Sequence, residues 1–281
     1  MPTYPTPGPI DLAVHLQVGA LEVAAGDRGD TVVTISPTNP DKDGDRRAAE
    51  ETTVTLDGQR LTVVSPKPRF TIVGPSESVD VRVELPTGSR LSTEVELGWV
   101  RTTGRLGATR IKASSGKASV EQSGDLWLRA GHGSTQVGTA DGDVEITADH
   151  GQITLGRSTG RVLLKASHGS VRVEEAGGDL EAKLSYGDLE VGRALGSVTA
   201  KTAYGDIALR EVCGGSVEVE SGYGEVSVGV REGVPAWLDL SSKNGRVRNE
   251  LEADRAAAGS EQAVAVRART QFGDITVRRA R

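Results

Sequence analysis

The chain has 281 residues and a formal net charge of −6, with 36 glycines, one methionine and one cysteine. The negative balance argues against a nucleic-acid partner held on a broad basic surface, and a lone Cys213 excludes both an intramolecular disulfide framework and a cysteine-based structural zinc site. The opening "MPTYPTPGPIDL" has neither a basic n-region nor an apolar h-region, and no run reaches the eighteen or so apolar residues of a membrane span, so the expectation is a soluble, cytoplasmic protein.

In chain order, "IDLAVHLQVGALEVAAG", "DTVVTISP", "TTVTLDGQRLTVVSP" and "VDVRVELPTGSRL" alternate apolar and polar residues and read as strands. Between them "TNPDKDGDRRAAEE" reads as a charged, exposed loop. Residues 1–95 are expected to form a β-rich cap or first irregular coils, shielding the end of a sheet from aggregation. From residue 96 the pattern tightens. Glycine recurs every nine residues from Gly124 through Gly133, Gly142, Gly151, Gly160, Gly169, Gly178, Gly187 and Gly196 to Gly205, then slips by one at "CGGS".

Each nonamer places apolar residues two and four positions after its glycine, as in "GQITLGRST" and "GRVLLKASH". That is one short, half-buried strand and one turn. Alternate nonamers differ at the sixth position. Ala148, Ala166, Leu184 and Thr202 extend one apolar face, while Arg157, Glu175, Arg193 and Glu211 point to solvent. The true unit is therefore eighteen residues, and two unequal strands per unit predict one coil of a β-solenoid. The core ladders would be Val144, Val162, Leu180, Val198 and Val217, and Ile153, Val171, Leu189, Ile207 and Val226. Repeat-in-toxin calcium threading needs an aspartate ladder beside paired glycines, and the varied residues after each single glycine here do not supply one. Residues 233–262 read as an irregular excursion, with "EADRAAAGSEQ" the only weakly helical stretch, before "TQFGDITVRR" closes the chain as a further coil.

"SYGDLEVGRALGSVTAKTAYGDIALREV", preceded by "VDVRVELPTGSRL" and closed by "VAVRARTQFGDITVRR", resembles domain of unknown function 4097 (DUF4097), a family of bacterial β-strand-repeat proteins labelled as adhesin-like. The resemblance covers nearly the whole chain, most specifically residues 80–230. It implies a right-handed β-solenoid (parallel β-helix) and carries over no catalytic residue.

Three of the four histidines, His132, His150 and His168, stand eighteen residues apart, just before the glycine of alternate nonamers. Tyr186, Tyr204 and Tyr223 continue the same column, and Asn244 and Phe272 extend it. A position that accepts His, Tyr, Asn and Phe selects a flat side chain rather than a metal ligand, so a stacked ladder is the expectation. Capture of a metal by His132, His150 and His168 is the weaker reading, since the imidazoles would have to bend toward one another. Alternation alone would turn this column inward; its place at a turn would expose it. Lys165, Lys183 and Lys201 form a second column, expected in a solvated mixed-charge face with Glu145, Glu181 and Glu218. Trp127, between Leu126 and Leu128, should point outward as a contact residue, with Trp99 and Trp237 packed near the less regular ends.

No P-loop, dinucleotide fingerprint or Ser/His/Asp arrangement is present, and no catalytic residue or cofactor is expected. The sequence points to a non-enzymatic scaffold that binds a protein partner or self-associates, with Trp127, the tyrosine column and the lysine column as its surface. A polysaccharide-binding or polysaccharide-cleaving β-helix is the first alternative. A metal- or pH-responsive module built on the histidine column is the second.

Overall fold

The computed structural model describes residues 2–67, 70–71, 74–75, 77–251 and 263–280. The stretch read as weakly helical, 252–262, lies outside the described residues. The chain divides into two compact units, residues 1–139 and 140–281. Each is built on a stack of parallel strands, the solenoid that the eighteen-residue period predicts. No helix among the described residues is long and apolar enough to cross a membrane.

In residues 140–281 both expected ladders form. Val144, Val162, Leu180, Val198 and Val217 pair in direct succession. So do Ile153, Val171, Leu189, Ile207 and Val226. All are 2 % exposed or less, and they belong to coils whose two strands, such as Val162–His168 and Val171–Ala176, are too short to stand alone. Stacking buries one face of each interior strand and pairs both of its edges, which a lone hairpin cannot do. Within the second strand of each coil the alternation breaks once. After Ile153 and Leu155, two outward residues pass before Ser158 turns inward, and Ala176, Ala194 and Val212 repeat this. This third buried column is absent from a simple alternating reading.

Arg157, Glu175, Arg193 and Glu211 lie on the outer surface as expected, and they alternate in charge. Arg157 Nε meets Glu175 at 3.0 Å and Arg193 Nε meets Glu211 at 2.8 Å. In an in-register stack identical charges would face each other, so alternation turns a repulsive column into a paired one.

The last coils depart from chain order. The strand Val264–Phe272 lies between Ser216–Tyr223 on one side and Ala236–Asn244 on the other. Ile275–Arg279 likewise lies between Val226–Val230 and Val247–Asn249. The described strands of the segment expected to be an irregular excursion, Ala236–Asn244 and Val247–Asn249, thus form the outermost coil, and residues 264–279 are tucked one coil inward. Val264–Phe272 and Ile275–Arg279 are therefore paired on both edges.

The same device operates in residues 1–139. Asp11–Gly26 pairs in parallel with Arg90–Arg105 over both of its halves, Leu12 opposite Leu91 and Leu21 opposite Val100. On its other side lie Arg60–Val64 and Val79–Pro86, so the N-terminal coil is also flanked on both edges. The strand Arg90–Arg105 runs across the boundary that the sequence places at 95/96. The outer edge here is sealed by antiparallel strands, Thr53–Asp57 on Arg60–Val64 and Asp30–Pro37 on Val79–Pro86. The stretch expected as an exposed loop contains a helix, Asp43–Glu51, which buries Asp45 and Ala48. The Asp45 carboxylate accepts hydrogen bonds from the backbone N–H groups of Asn39 and Ser78, both at 3.0 Å. With one short helix and mostly charged residues, its apolar periodicity is too weak to read in the sequence.

Two consequences can be measured. Thr102 is buried between Val23 and Val120, and its hydroxyl has no hydrogen-bond partner among the described residues. Thr102→Val keeps the shape and completes a valine ladder, so a gain of about 1 kcal/mol in urea unfolding is expected; a loss would mean the hydroxyl is satisfied. Arg28 donates to Asp30 at 2.8 Å and also pairs with Glu84, and these hydrogen bonds hold both carboxyls below their ordinary values. The stabilisation is therefore present above the ordinary carboxylate range and lost as pH falls through the lowered folded values. Arg28→Ala should reduce the melting temperature at neutral pH, with the difference vanishing in acid; a difference that persists in acid would point to packing instead.

Candidate interaction surface

The column of flat side chains is set by the corner of each coil. In the first strand Val144, Ile146 and Ala148 face inward, and the chain then bends at Gly151, where φ is +131°. His150 falls on the bend and is carried outward, and the same geometry recurs at Gly169, Gly187, Gly205, Gly224 and Gly273. The structure thus decides between the two orientations that the sequence left open. Tyr186 is 50 % exposed and Phe272 43 %.

The rings stack nearly parallel. Centroids are 4.7 Å apart for His150 and His168, 5.0 Å for His168 and Tyr186, and 5.0 Å for Tyr186 and Tyr204. Tyr204 and Tyr223 follow at 4.8 Å, and Tyr223 and Phe272 at 4.7 Å. Interplanar angles do not exceed 9°. Asn244 is in register with Phe272, and its amide donates to the Gln271 carbonyl at 3.2 Å. The spacing is that of the strands themselves. His132, in residues 1–139, occupies the matching corner, in register with Ser115, which in turn pairs with Leu97.

Stacking decides what these rings can do. An imidazole lone pair lies in the plane of its ring, so His150 and His168 aim theirs along parallel lines rather than at one point. In this arrangement they do not converge on a shared ion at the 2.0–2.1 Å or so that zinc needs. Among the described residues, no group of three or more His, Cys, Asp or Glu is placed to hold a metal ion.

Two polar columns support the corner, and neither was legible as a site. At the ring corner Asp188, Asp206 and Asp274 each accept, through Oδ1, the backbone N–H of the equivalent residue in the neighbouring coil, at 2.7–2.9 Å, and Asp143 and Asp179 do the same at the other corner, after Gly142 and Gly178. The aspartate after glycine is therefore a strut between coils. Buried hydroxyls do the complementary job: Ser221 donates to the Gly205 carbonyl at 3.0 Å and Thr270 to that of Gly224 at 3.1 Å. Only the repeated Gly-Asp pair hinted at the first column.

The lysine column lies in register as expected and is charge-paired throughout. Lys165 is 3.9 Å from Glu145, Lys183 2.7 Å from Glu181, and Lys201 3.0 Å from Glu220. Lys183 first, then Arg161, holds the Glu181 carboxyl below its ordinary value. Trp127 points outward but is half-buried, with the Arg110 guanidinium 3.7 Å from its ring centroid. The tryptophans expected to pack are the exposed ones, Trp99 and, at 79 %, Trp237. Periodicity could not find Trp237, because its exposure follows from lying in the outermost coil. Cys213 is half-buried, and burial pushes its thiol up, away from the thiolate a nucleophile needs.

No curated protein matches this chain. Three solved structures align over 98 % of this chain and 95 % of their own: a candidate cell adhesion protein from Clostridium sporogenes (12 % identity, TM-score 0.22), a candidate adhesin from Bacteroides fragilis (11 %, 0.37) and a candidate lipid-binding protein from Parabacteroides distasonis (11 %, 0.36). At these scores the likenesses carry no argument. The family model described as Toastrack DUF4097 matches residues 11–278, a span that takes in the tucked N-terminal coil as well as the regular repeats. The chain belongs to the Toastrack DUF4097 family.

Proposed function

We propose that the protein is a non-enzymatic interaction scaffold that presents its ring ladder to a protein partner. The observation that carries this reading is the stack from His150 to Phe272: six flat side chains held in parallel, near half-exposed at its tyrosines and phenylalanine, on a backbone whose register cannot slip. Preordered rings lose little freedom on docking, which favours them as contact residues. Glycan recognition is less well served. A sugar ring packs on an aromatic face, and in this ladder neighbouring rings cover those faces and leave edges exposed. The paired lysines likewise offer no free cation strip to an anionic polymer.

Replacing Tyr186, Tyr204 and Tyr223 together by Ser tests the reading. Quantitative affinity purification from the native cell should recover a specific partner on the parent chain and lose it by roughly tenfold or more on the variant. Equal recovery on both, with unchanged thermal unfolding, would sink the ladder as the docking surface.

A further inference from the structure

Among the described residues, the outermost coil of residues 140–281 leaves a row of backbone groups with no strand beside it. Ala236–Asn244 pairs on one side with Val264–Phe272, and no described strand lies on its other side. The Val264 N–H donates to the Pro235 carbonyl at 2.9 Å. That places the inward-facing backbone groups at the odd-numbered residues 235 to 243 and turns those of Ala236, Leu238, Leu240 and Ser242 to the open edge. Leu238 and Leu240 are only half-buried, although their counterparts Val266 and Ala268 in the neighbouring coil are fully buried. Trp237 and Val247 add exposed apolar surface. Natural sheets protect such an edge with charge, proline, a bulge or a covering element. The outer strands of residues 1–139 are covered in this way; this edge has no covering strand among the described residues and carries two charges, Asp239, paired with Arg267, and Lys243.

We infer that this edge is a homodimer interface, filled by the same strand of a second copy in antiparallel pairing about a two-fold axis at Leu240. The strand selects that axis. Leu240 is the midpoint of Ala236–Asn244, so this register overlaps the whole strand. It makes Leu240 exchange both hydrogen bonds with its own copy and pairs Leu238 with Ser242 of the second chain, which satisfies the open groups. The side chains agree. Trp237 comes opposite the second chain's Lys243, a cation–π pair, while Asp239 lies diagonal both to that lysine and to the second chain's Asp239, its charge already met within its own chain by Arg267 at 3.0 Å. Both contacts with Lys243 occur twice by symmetry. Leu238 and Leu240 of the two chains form one continuous apolar strip. A self-complementary edge closes on itself, so assembly stops at two copies and does not run on into fibres.

The inference rests on the scaffold reading but not on the ring ladder, and the two fail separately. Sedimentation equilibrium of the full chain should show reversible conversion between a 29.4 kDa monomer and a species of twice that mass. Leu240→Pro removes an N–H from the open edge, where proline is tolerated, and should leave only monomer. Lys243→Glu alters an exposed side chain and should weaken the dimer by on the order of tenfold with unchanged thermal unfolding. The Tyr186, Tyr204 and Tyr223 triple variant should dimerise like the parent. A monomer at every soluble concentration, a dimer indifferent to Lys243→Glu, or growth beyond two copies would each overturn the proposal. A dimer lost only in the tyrosine variant would also overturn it and assign self-association to the ladder.

Discussion

Gly187→Ala is expected to destabilise the chain by about 4 kcal/mol, far more than a methyl group at a surface turn would suggest. Gly187 adopts φ +144°, a conformation that residues with a Cβ rarely enter. An added Cβ would also fall well inside van der Waals contact with the Gly169 carbonyl oxygen of the preceding coil. Neither group can yield, because the corner repeats from coil to coil with backbone on both sides: Gly205 meets the carbonyl of Gly187, and Gly224 that of Gly205, in the same way. Equilibrium urea unfolding gives the measurement. A loss below about 1 kcal/mol would mean that the corners are compliant and that glycine recurs there for another reason.

Removal of residues 264–281 is expected to be more damaging than loss of a terminal repeat from an ordinary linear array. There the last repeat contacts one neighbour, and its removal shortens the stack. Here the deleted segment lies between two coils. Val264, Val266, Ile275 and Val277 are each 2 % exposed or less, and each contributes on the order of 2 kcal/mol by burial. Their loss would also separate Ala236–Asn244 from Ser216–Tyr223. Hydrogen exchange should report lost protection through Ser216–Asn249, with a lower urea midpoint for the whole transition. Retained protection in Ala236–Asn244 would show that this strand can dock directly on Ser216–Tyr223 and that the tucked segment is dispensable.

Most of the repeat region was legible because each coil repeats the same local problem. Apolar residues two and four places after glycine name the inward positions of Val162 and Leu164, and the eighteen-residue spacing of like residues names their neighbours. The ring column was legible as a column for the same reason. Its exposure was not, since alternation and turn placement gave opposite answers, and the bend at Gly151 decides between them. The third inward column at Ser158, Ala176, Ala194 and Val212 was missed because one extra outward residue breaks the alternation. Trp127 and Trp237 were read in the wrong order of exposure. One is covered by Arg110 from the strand beside it, and the other lies on a coil with no described neighbour beyond it.

By itself the sequence determined the coil: its length, its inward residues, its glycine corners, and the alternation of Arg157, Glu175, Arg193 and Glu211. All of these depend on interactions within a coil or between identical positions of adjacent coils, so periodicity encodes them. The tertiary structure alone decided the order of the coils at each end, placing Asp11–Gly26 and Val264–Phe272 one coil inward. Neighbouring coils offer nearly equivalent edges, so local pattern does not rank them. Pairing both edges of a terminal strand does, because it buries that strand's apolar face and satisfies its backbone on two sides. The same arrangement leaves Ala236–Asn244 outermost, with Trp237 and Leu240 at an open edge.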